Sequence, residues 1–316
     1  MGNNNVIDQW MVVVNPNAGR RKGKRDWKEI SGLLESHSFN YTHVFTEGKY
    51  HAIEIAINAI ENGHRRFIVV GGDGTMNEVV NGVFTQNNCS TSEIIIGMLT
   101  VGTGNDWGRM FNIPLDYNKA LLTIKEGKDI LQDAGVVHYN TDEGKKNRYF
   151  INIAGLGFDA TVVRRTNTQK EKGRSSKTSY YWNLLMSVFT YKSTHTKVRV
   201  DGTEVKNDTF SISLGIGKYS GGGMMQTPDA MVDDGLFDIT IIKRMRPGEI
   251  IRSLKKLYDG TILEHPKIDF YTGKSIEIIS EPLIHVEADG ESLGYSPIEF
   301  KIIPQSIKVI YNDITT

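Results

Sequence analysis

Three short runs in the first third of the chain combine glycine with asparagine or aspartate. They are Asn15-Pro16-Asn17-Ala18-Gly19, Gly71-Gly72-Asp73-Gly74-Thr75-Met76-Asn77-Glu78 and Gly102-Thr103-Gly104-Asn105-Asp106. Glycine lets a ligand approach the backbone closely. Backbone amides at a helix start, helped by the helix dipole, cradle phosphate. An acid set between glycines at the end of a strand lies where open α/β sheets bind ligands. Any one such run could be no more than a tight strand-to-helix turn. The third run departs from G-x-G-x-x-G: counted from Gly102 the sixth position is Trp107, and Gly108 comes one place late. The dinucleotide-binding fingerprint therefore fails on spacing, and no G-x-x-x-x-G-K-[ST] occurs in the chain. The basic run Arg20-Arg21-Lys22-Gly23-Lys24-Arg25 reads either as a solvated helix start or as further phosphate contacts.

The elements that must hold these runs follow from hydrophobic periodicity. Trp10–Asn15, Tyr41–Phe45, Phe67–Val70 and Ile94–Leu99 read as strands, the last continuously apolar as in a strand buried on both faces. Between them lie helical patterns: Trp27, Ile30, Leu33 and Leu34 on one face, then Ile53, Ile57 and Ile60 within His51–Asn62, then Met76–Phe84. Strands alternating with helices of this length predict a parallel α/β sheet.

After about Asp129 the pattern changes to period-2 strands: Lys197–Val200, Phe210–Ile216, Phe237–Ile242, Ser275–Ile279, Ile284–Ala288, Ile298–Ile303 and Ile307–Tyr311. Asp201-Gly202 and Asp289-Gly290 are hairpin-turn signals between such runs. This half reads as an antiparallel β sandwich with helical inserts at Ser179–Tyr191 and from Pro247. The expected division is 1–130, a nucleotide-binding α/β domain, and 131–316, a β-sandwich substrate domain whose last strands return to the first.

Composition limits the partners. The chain has 316 residues, with 37 Lys+Arg against 37 Asp+Glu, and this zero balance argues against holding nucleic acid by bulk charge. The single cysteine, Cys89, excludes an intrachain disulfide and fits a reducing cytosol. The N-terminus lacks a signal-peptide pattern, and no apolar run approaches the roughly 18 residues of a membrane span. His138, His195, His265 and His285 lack metal-like spacing.

In combination the three runs resemble the catalytic domain of the diacylglycerol kinase family, whose signature is N-P-x-x-G, G-G-D-G-T-x-N-E and G-T-x-N-D-x-x-R. Here they read NPNAG at 15–19, GGDGTMNE at 71–78 and GTGNDWGR at 102–109. The resemblance continues through Gln132-Asp133-Ala134-Gly135, Gly221-Gly222-Gly223-Met224, Pro228-Asp229-Ala230, Asp233-Asp234-Gly235-Leu236 and Asp289-Gly290-Glu291, so it covers nearly the whole chain. NAD kinases share the G-G-D-G-T element and the fold.

What the resemblance implies is an NAD kinase/diacylglycerol kinase-like fold. It has a Rossmann-like N-terminal α/β domain, a C-terminal antiparallel β-sandwich domain, and the active site in the cleft between them. ATP would touch Asn15, Pro16, Asn17, Ala18, Gly19, Thr46, Gly71, Gly72, Asp73, Gly74, Thr75, Met76, Asn77 and Thr103. Asp73, Asp106 and Asp133 would hold a catalytic Mg²⁺ directly or through water. A second, structural Mg²⁺ would take Asp234, with Asp233 as competitor, and backbone oxygens of Met231 and Leu236. Ile284, Val286 and Ala288 alternate with His285, Glu287 and Asp289, which puts Asp289 on the polar face as the strand ends. The match to the family's Asp-Gly-Glu makes Asp289 the candidate base or orienting acid for an acceptor alcohol, with Glu291 as partner or rival.

The implied activity is an ATP- and Mg²⁺-dependent lipid kinase acting on a diacylglycerol-like lipid. The alternatives are a sphingoid-base or NAD kinase, or a non-catalytic lipid- or nucleotide-binding regulator. A cytoplasmic enzyme with a lipid substrate must meet a membrane peripherally. Residues 164–191 are the candidate surface, where Arg164, Arg165, Lys170, Lys172, Arg174 and Lys177 precede a run of aromatic and aliphatic residues. The same apolar residues could instead cover the sandwich core. A monomer and a homodimer both stay open.

Overall fold

The computed structural model describes residues 6–171 and 187–313. They form two compact units: Met1–Ala134 with Pro304–Thr316, and Gly135–Ile303.

The first unit runs β1 (Ile7–Val14), α1 (Ala18–Arg25), α2 (Trp27–Ser36), β2 (Tyr41–Phe45), α3 (His51–Glu61), β3 (His64–Gly71), α4 (Asp73–Thr85), β4 (Ile95–Thr100), α5 (Asp106–Met110) and α6 (Tyr117–Glu126). Its strands are parallel in the order β2-β1-β3-β4. Val12, Val13, Val14, Ile68, Val69, Val70, Ile96 and Met98 are all fully buried, as strands covered on both faces must be. The helical face of α3 differs from the expected one: Ala52, Ile55, Ala56, Ala59 and Ile60 face the core, while Ile53 and Ile57 are only partly covered. Small alanines allow the close packing against α4, where a Cβ at Gly82 would lie 2.6 Å from the Ala56 Cβ. Helix α4 also begins three residues earlier than the apolar pattern suggested, so Asp73 is its first residue rather than part of a loop.

Between the units in sequence, β5 (Asp129–Thr141) leads into the second unit. There follow β6 (Gly144–Phe150), β7 (Ile153–Gly157), α7 (Phe158–Glu171), β8 (Thr194–Val200), β9 (Thr203–Gly215), β10 (Tyr219–Ser220), β11 (Met224–Met225), β12 (Phe237–Lys243), α8 (Pro247–Asp259), β13 (Ile268–Gly273), β14 (Ser275–Glu281), β15 (His285–Ala288) and β16 (Glu291–Ile310). Six of these strands close on themselves with antiparallel pairing. β7 and β8 pair with successive parts of β9, and β15 and β14 with successive parts of β16. β15 pairs with β7 and β14 with β8, which completes the ring. The interior holds Phe150, Phe237 and Phe300, ringed by aliphatic side chains such as Leu156, Ile212 and Val286. β6, β7 and β13 were not anticipated, because their glycines and charged residues hide the alternation, and β5 runs well beyond the short strand that the resemblance implies at Gln132-Asp133-Ala134-Gly135.

The two strands expected at Ile298–Ile303 and Ile307–Tyr311 are one strand, β16. Pro304 and Gln305 interrupt the alternation, but Gln305, at φ 45°, makes a kink and not an end. Beyond it, β16 pairs in parallel with β4. The insert expected at Ser179–Tyr191 falls largely outside the described residues, of which 187–190 are helical. No helix among the described residues is long and apolar enough to cross a membrane.

Candidate active site

In the first unit the strand order reverses between β1 and β3, since β2 lies on one side of β1 and β3 on the other. At such a point the loops leaving the strand ends diverge and leave a crevice for ligand. Asn15, at the end of β1, is fixed there by three bonds. Its N–H donates to Val70 O at 2.9 Å, its Oδ1 accepts the Asn17 N–H at 3.0 Å, and its Nδ2 donates to Thr75 Oγ1 at 2.9 Å. The first glycine run is thus tied to the second. Thr46 sits alongside, its N–H on Val14 O.

The third run is packed against both others through backbone. Gly19 has φ 58°, and a Cβ there would sit 1.9 Å from Val101 O. A Cβ at Gly102 would sit 2.7 Å from the Gly72 Cα, and the Val101 N–H donates to Gly71 O at 2.9 Å. Side chains would hold these loops apart, so glycine is required by close approach. Residues 19–21 are left-handed in succession, a turn and not helix, and Arg20 and Arg21 point to solvent. Thr103 is exposed at the rim. Met76 and Asn77, by contrast, turn their side chains into the interior, where Asn77 Oδ1 accepts from Asn81 Nδ2.

Two of the three expected acids come together. Asp73 Oδ2 and Asp106 Oδ2 lie 3.1 and 3.5 Å from the position a Cβ would take on Gly104. Asp73 Oδ1 accepts the Trp107 N–H at 3.0 Å. The indole of the same Trp107 donates to Gln132 Oε1 at 3.2 Å, so one buried tryptophan ties the Asp73 carboxylate to β5. Asp133, next on β5, is fully buried, and its Oδ1 accepts the Gln305 N–H at 2.6 Å, at the kink of β16. Among the described residues no three of His, Cys, Asp and Glu are grouped to hold a metal ion. A pair of carboxylates does suit Mg²⁺, which keeps several waters and takes one or two protein carboxylates beside substrate phosphates. Asp73 and Asp106 fit that role, and Asp133 supports the kink.

In the second unit, Asp234 Oδ1 accepts the Leu236 N–H at 3.0 Å, and the Met231 side chain is exposed. Neighbouring Asp238 was not anticipated. Burial first, then the charges of Asp234 and Asp229, push its carboxyl up to about 6.

Asp289 and Gly290 form the two-residue hairpin between β15 and β16, both left-handed at φ 48° and 81°. The Asp289 carboxylate accepts three successive backbone N–H groups, from Ile151 at 3.0 Å, Asn152 at 3.1 Å and Ile153 at 3.2 Å. Asp201-Gly202 has the same signs of φ, and its carboxylate accepts the Lys274 and Ser275 N–H groups. Turn geometry alone therefore does not set Asp289 apart; its surroundings do. The polar face carrying residues 285, 287 and 289 is closed to solvent at Glu287, which is 6% exposed. Burial pushes its carboxyl well above the usual range, and Asp159, Asp289 and Glu291 add to that in turn. Asp159, partly buried at the start of α7, is pushed up to about 6 by the same cause, against the opposing bonds from Ser211 and Ser213. Sequence reading missed both acids. The one available signal was a charged residue inside an otherwise apolar strand.

Within 164–191, Ser187 and Val188 are buried, while Arg164, Arg165, Phe189 and Thr190 are exposed. Arg164 donates to His285 Nε2 at 3.1 Å, and Arg165 donates to Ser187 Oγ and Thr190 Oγ1. Val188 packs with Phe158, Val162, Phe210 and Ile250, while the adjacent Phe189 is 60% exposed. The Lys170 side chain, Lys172, Arg174, Lys177 and the apolar run through 186 lie outside the described residues.

Glycine loops and paired carboxylates at strand ends, followed in sequence by an antiparallel β unit, give the fold shared with diacylglycerol kinases and an NADH kinase. Residues 9–137 match the diacylglycerol kinase catalytic domain, and 152–311 match the YegS C-terminal NAD kinase beta sandwich-like domain. A diacylglycerol kinase of Staphylococcus aureus (strain bovine RF122 / ET3-1) is 30% identical over 96% of this chain and 92% of its own. The crystal structure of a diacylglycerol kinase from Bacillus anthracis str. Sterne superposes with a TM-score of 0.73 at 21% identity, covering 98% of both chains. Yeast NADH kinase complexed with NADH gives 0.54 at 13% identity, covering 96% of this chain and 84% of the other, a likeness of fold. The chain belongs to the diacylglycerol kinase family and is a lipid kinase.

Proposed function

We propose that the protein transfers the γ-phosphoryl group of ATP, with Mg²⁺, to a hydroxyl of a diacylglycerol-like lipid presented at a membrane surface. The observation that carries this reading is the packing of the three glycine loops on one another, with the Asp73 and Asp106 carboxylates together beside Gly104. Phosphates lie on the backbone amides of 15–19 and 71–75, where the start of α4 favours negative charge. Asp73 and Asp106 would hold Mg²⁺, which when bound neutralises charge on the transferred group. Trp107 keeps the Asp73 carboxylate from rotating away. Asp289 takes the acceptor hydroxyl as base or orienting acid. Its carboxylate is fixed by three amides, so no reorganisation is needed as the proton leaves. Glu291, across the turn, is the partner group. The β-rich unit serves the lipid, and the enzyme works from the cytoplasm by peripheral contact.

Incubation with γ-labelled ATP tests the reading, with diacylglycerol, sphingosine, ceramide and NAD as separate acceptors, each with Mg²⁺ or with EDTA. Label on diacylglycerol in the Mg²⁺ arm alone is the expected result. Label confined to sphingosine, ceramide or NAD, label surviving EDTA, or none on any acceptor overturns it.

A further inference from the structure

The Asp289-Gly290 turn is clamped in a way that an ordinary two-residue hairpin is not. Glu287 Oε2 accepts the Gly290 N–H at 2.9 Å, and Asn167 Nδ2 donates to Gly290 O at 3.2 Å. Both polar atoms of the Gly290 backbone are thus held by side chains. At Gly202, in the like turn, no described side chain does this. Glu287 is itself backed by a second acid. A Cβ at Gly155 would lie 2.7 Å from Glu287 Oε1, 2.9 Å from Asp159 Cβ and 3.5 Å from Asp159 Oδ2, so both carboxyls close over a residue that must be glycine. Ser211 Oγ donates to Asp159 Oδ2 at 2.6 Å, and Ser213 Oγ does so at 3.3 Å.

Among the described residues, no cation acts on Glu287 or Asp159. The charged groups acting on Glu287 are Asp159 from α7, Asp289 from its own turn and Glu291 from β16, all acidic. Arg164 of α7 and His285 of β15 bond to each other. Burying a carboxyl without a counter-charge is costly, and the cost is avoided when it stays protonated. A buried acid where an apolar residue would serve the fold better points to a task at the site.

We propose that Glu287, with Asp159 behind it, is a positioning residue for phosphoryl transfer: it clamps the Gly290 amide so that the Asp289 carboxylate stays seated on the Ile151–Ile153 amides. This rests on the assignment of Asp289 to the acceptor hydroxyl. A neutral Glu287 accepts the Gly290 N–H without placing a second negative charge beside Asp289. Once ionised, it repels Asp289, Glu291 and Asp159 together, and the turn loosens. Turnover then falls on the alkaline side.

The test uses the full-length protein with Glu287→Gln and Glu287→Ala. For Glu287→Ala we expect kcat to fall about 10- to 100-fold, the scale of a misplaced reacting group, with KM for ATP unchanged. Deuterium exchange should quicken in peptides spanning 149–154 and 288–292. Glu287→Gln, which keeps the acceptor and cannot ionise, should retain turnover and slow exchange, and its pH profile should lose the alkaline fall. Wild-type exchange in Glu287→Ala overturns the proposal. So does a Gln variant as inactive as the Ala variant, or one whose alkaline fall is unmoved. If Glu287→Ala does not fold, the Gln profile decides. Full turnover in Asp289→Asn would instead overturn the assignment of Asp289, while exchange still judges the clamp.

Discussion

Asp73 Oδ1 accepts the backbone N–H of Trp107 at 3.0 Å, so the carboxylate that opens α4 is held by the residue that follows Asp106. One contact sets the spacing of the two acids around Gly104 and joins the second glycine loop to the third.

Asp73→Ala removes this contact together with a metal-binding carboxylate. We expect turnover below about 1% of wild type, the upper part of the range for losing a group that stabilises transferred charge. The lost hydrogen bond costs about 1 kcal/mol of stability, so the variant stays folded. Calorimetric titration with Mg²⁺–ATP should show weakened binding. Near-normal turnover would remove the carboxylate pair from the mechanism.

Gly19→Ala tests the packing of the first loop on the third. The added Cβ would start 1.9 Å from Val101 O at a backbone with φ 58°. Left-handed strain and the clash together should cost about 2 kcal/mol or more. ATP affinity should fall with it, read by thermal shift with and without nucleotide. A variant with wild-type affinity and melting temperature would contradict the packing.

The two Asp-Gly turns separate function from fold. Asp289→Asn should cut kcat by about 10²–10⁴-fold and leave ATP binding intact. Asp201→Asn, in the matching turn, should lower stability by about 1 kcal/mol and leave kcat unchanged. Equal effects on kcat from both would make Asp289 a fold residue.

Asp159 makes stability depend on pH. Desolvation pushes its carboxyl from 3.8 up to about 6 on folding, so its full contribution is present below the unfolded value. That contribution is lost as pH rises through about 4 to 6, reaching about 3 kcal/mol at 1.36 kcal/mol for each tenfold step. The melting temperature of wild type should therefore fall relative to Asp159→Asn between pH 4 and 7. Parallel curves for the two proteins would show that Asp159 is ionised at no cost.

By itself the sequence determined the glycine runs, their place at strand ends, and the Asp-Gly turns. These depend on near neighbours: apolar runs that must be buried, and glycines that permit a left-handed or crowded backbone. Tertiary structure decided which acids meet. Asp133 stands in the expected series, yet its partner is the amide of Gln305, 172 positions away at a kink that the sequence pattern reads as a strand end. The alternation puts Glu287 on a polar face, yet the structure leaves it 6% exposed and brings Asp159 of α7 beside it at Gly155. The face of α3 was likewise set by its fit to α4. Periodicity records how a segment alternates between core and surface. It does not record which distant segment supplies the other wall, and the energies of buried acids are set by that wall.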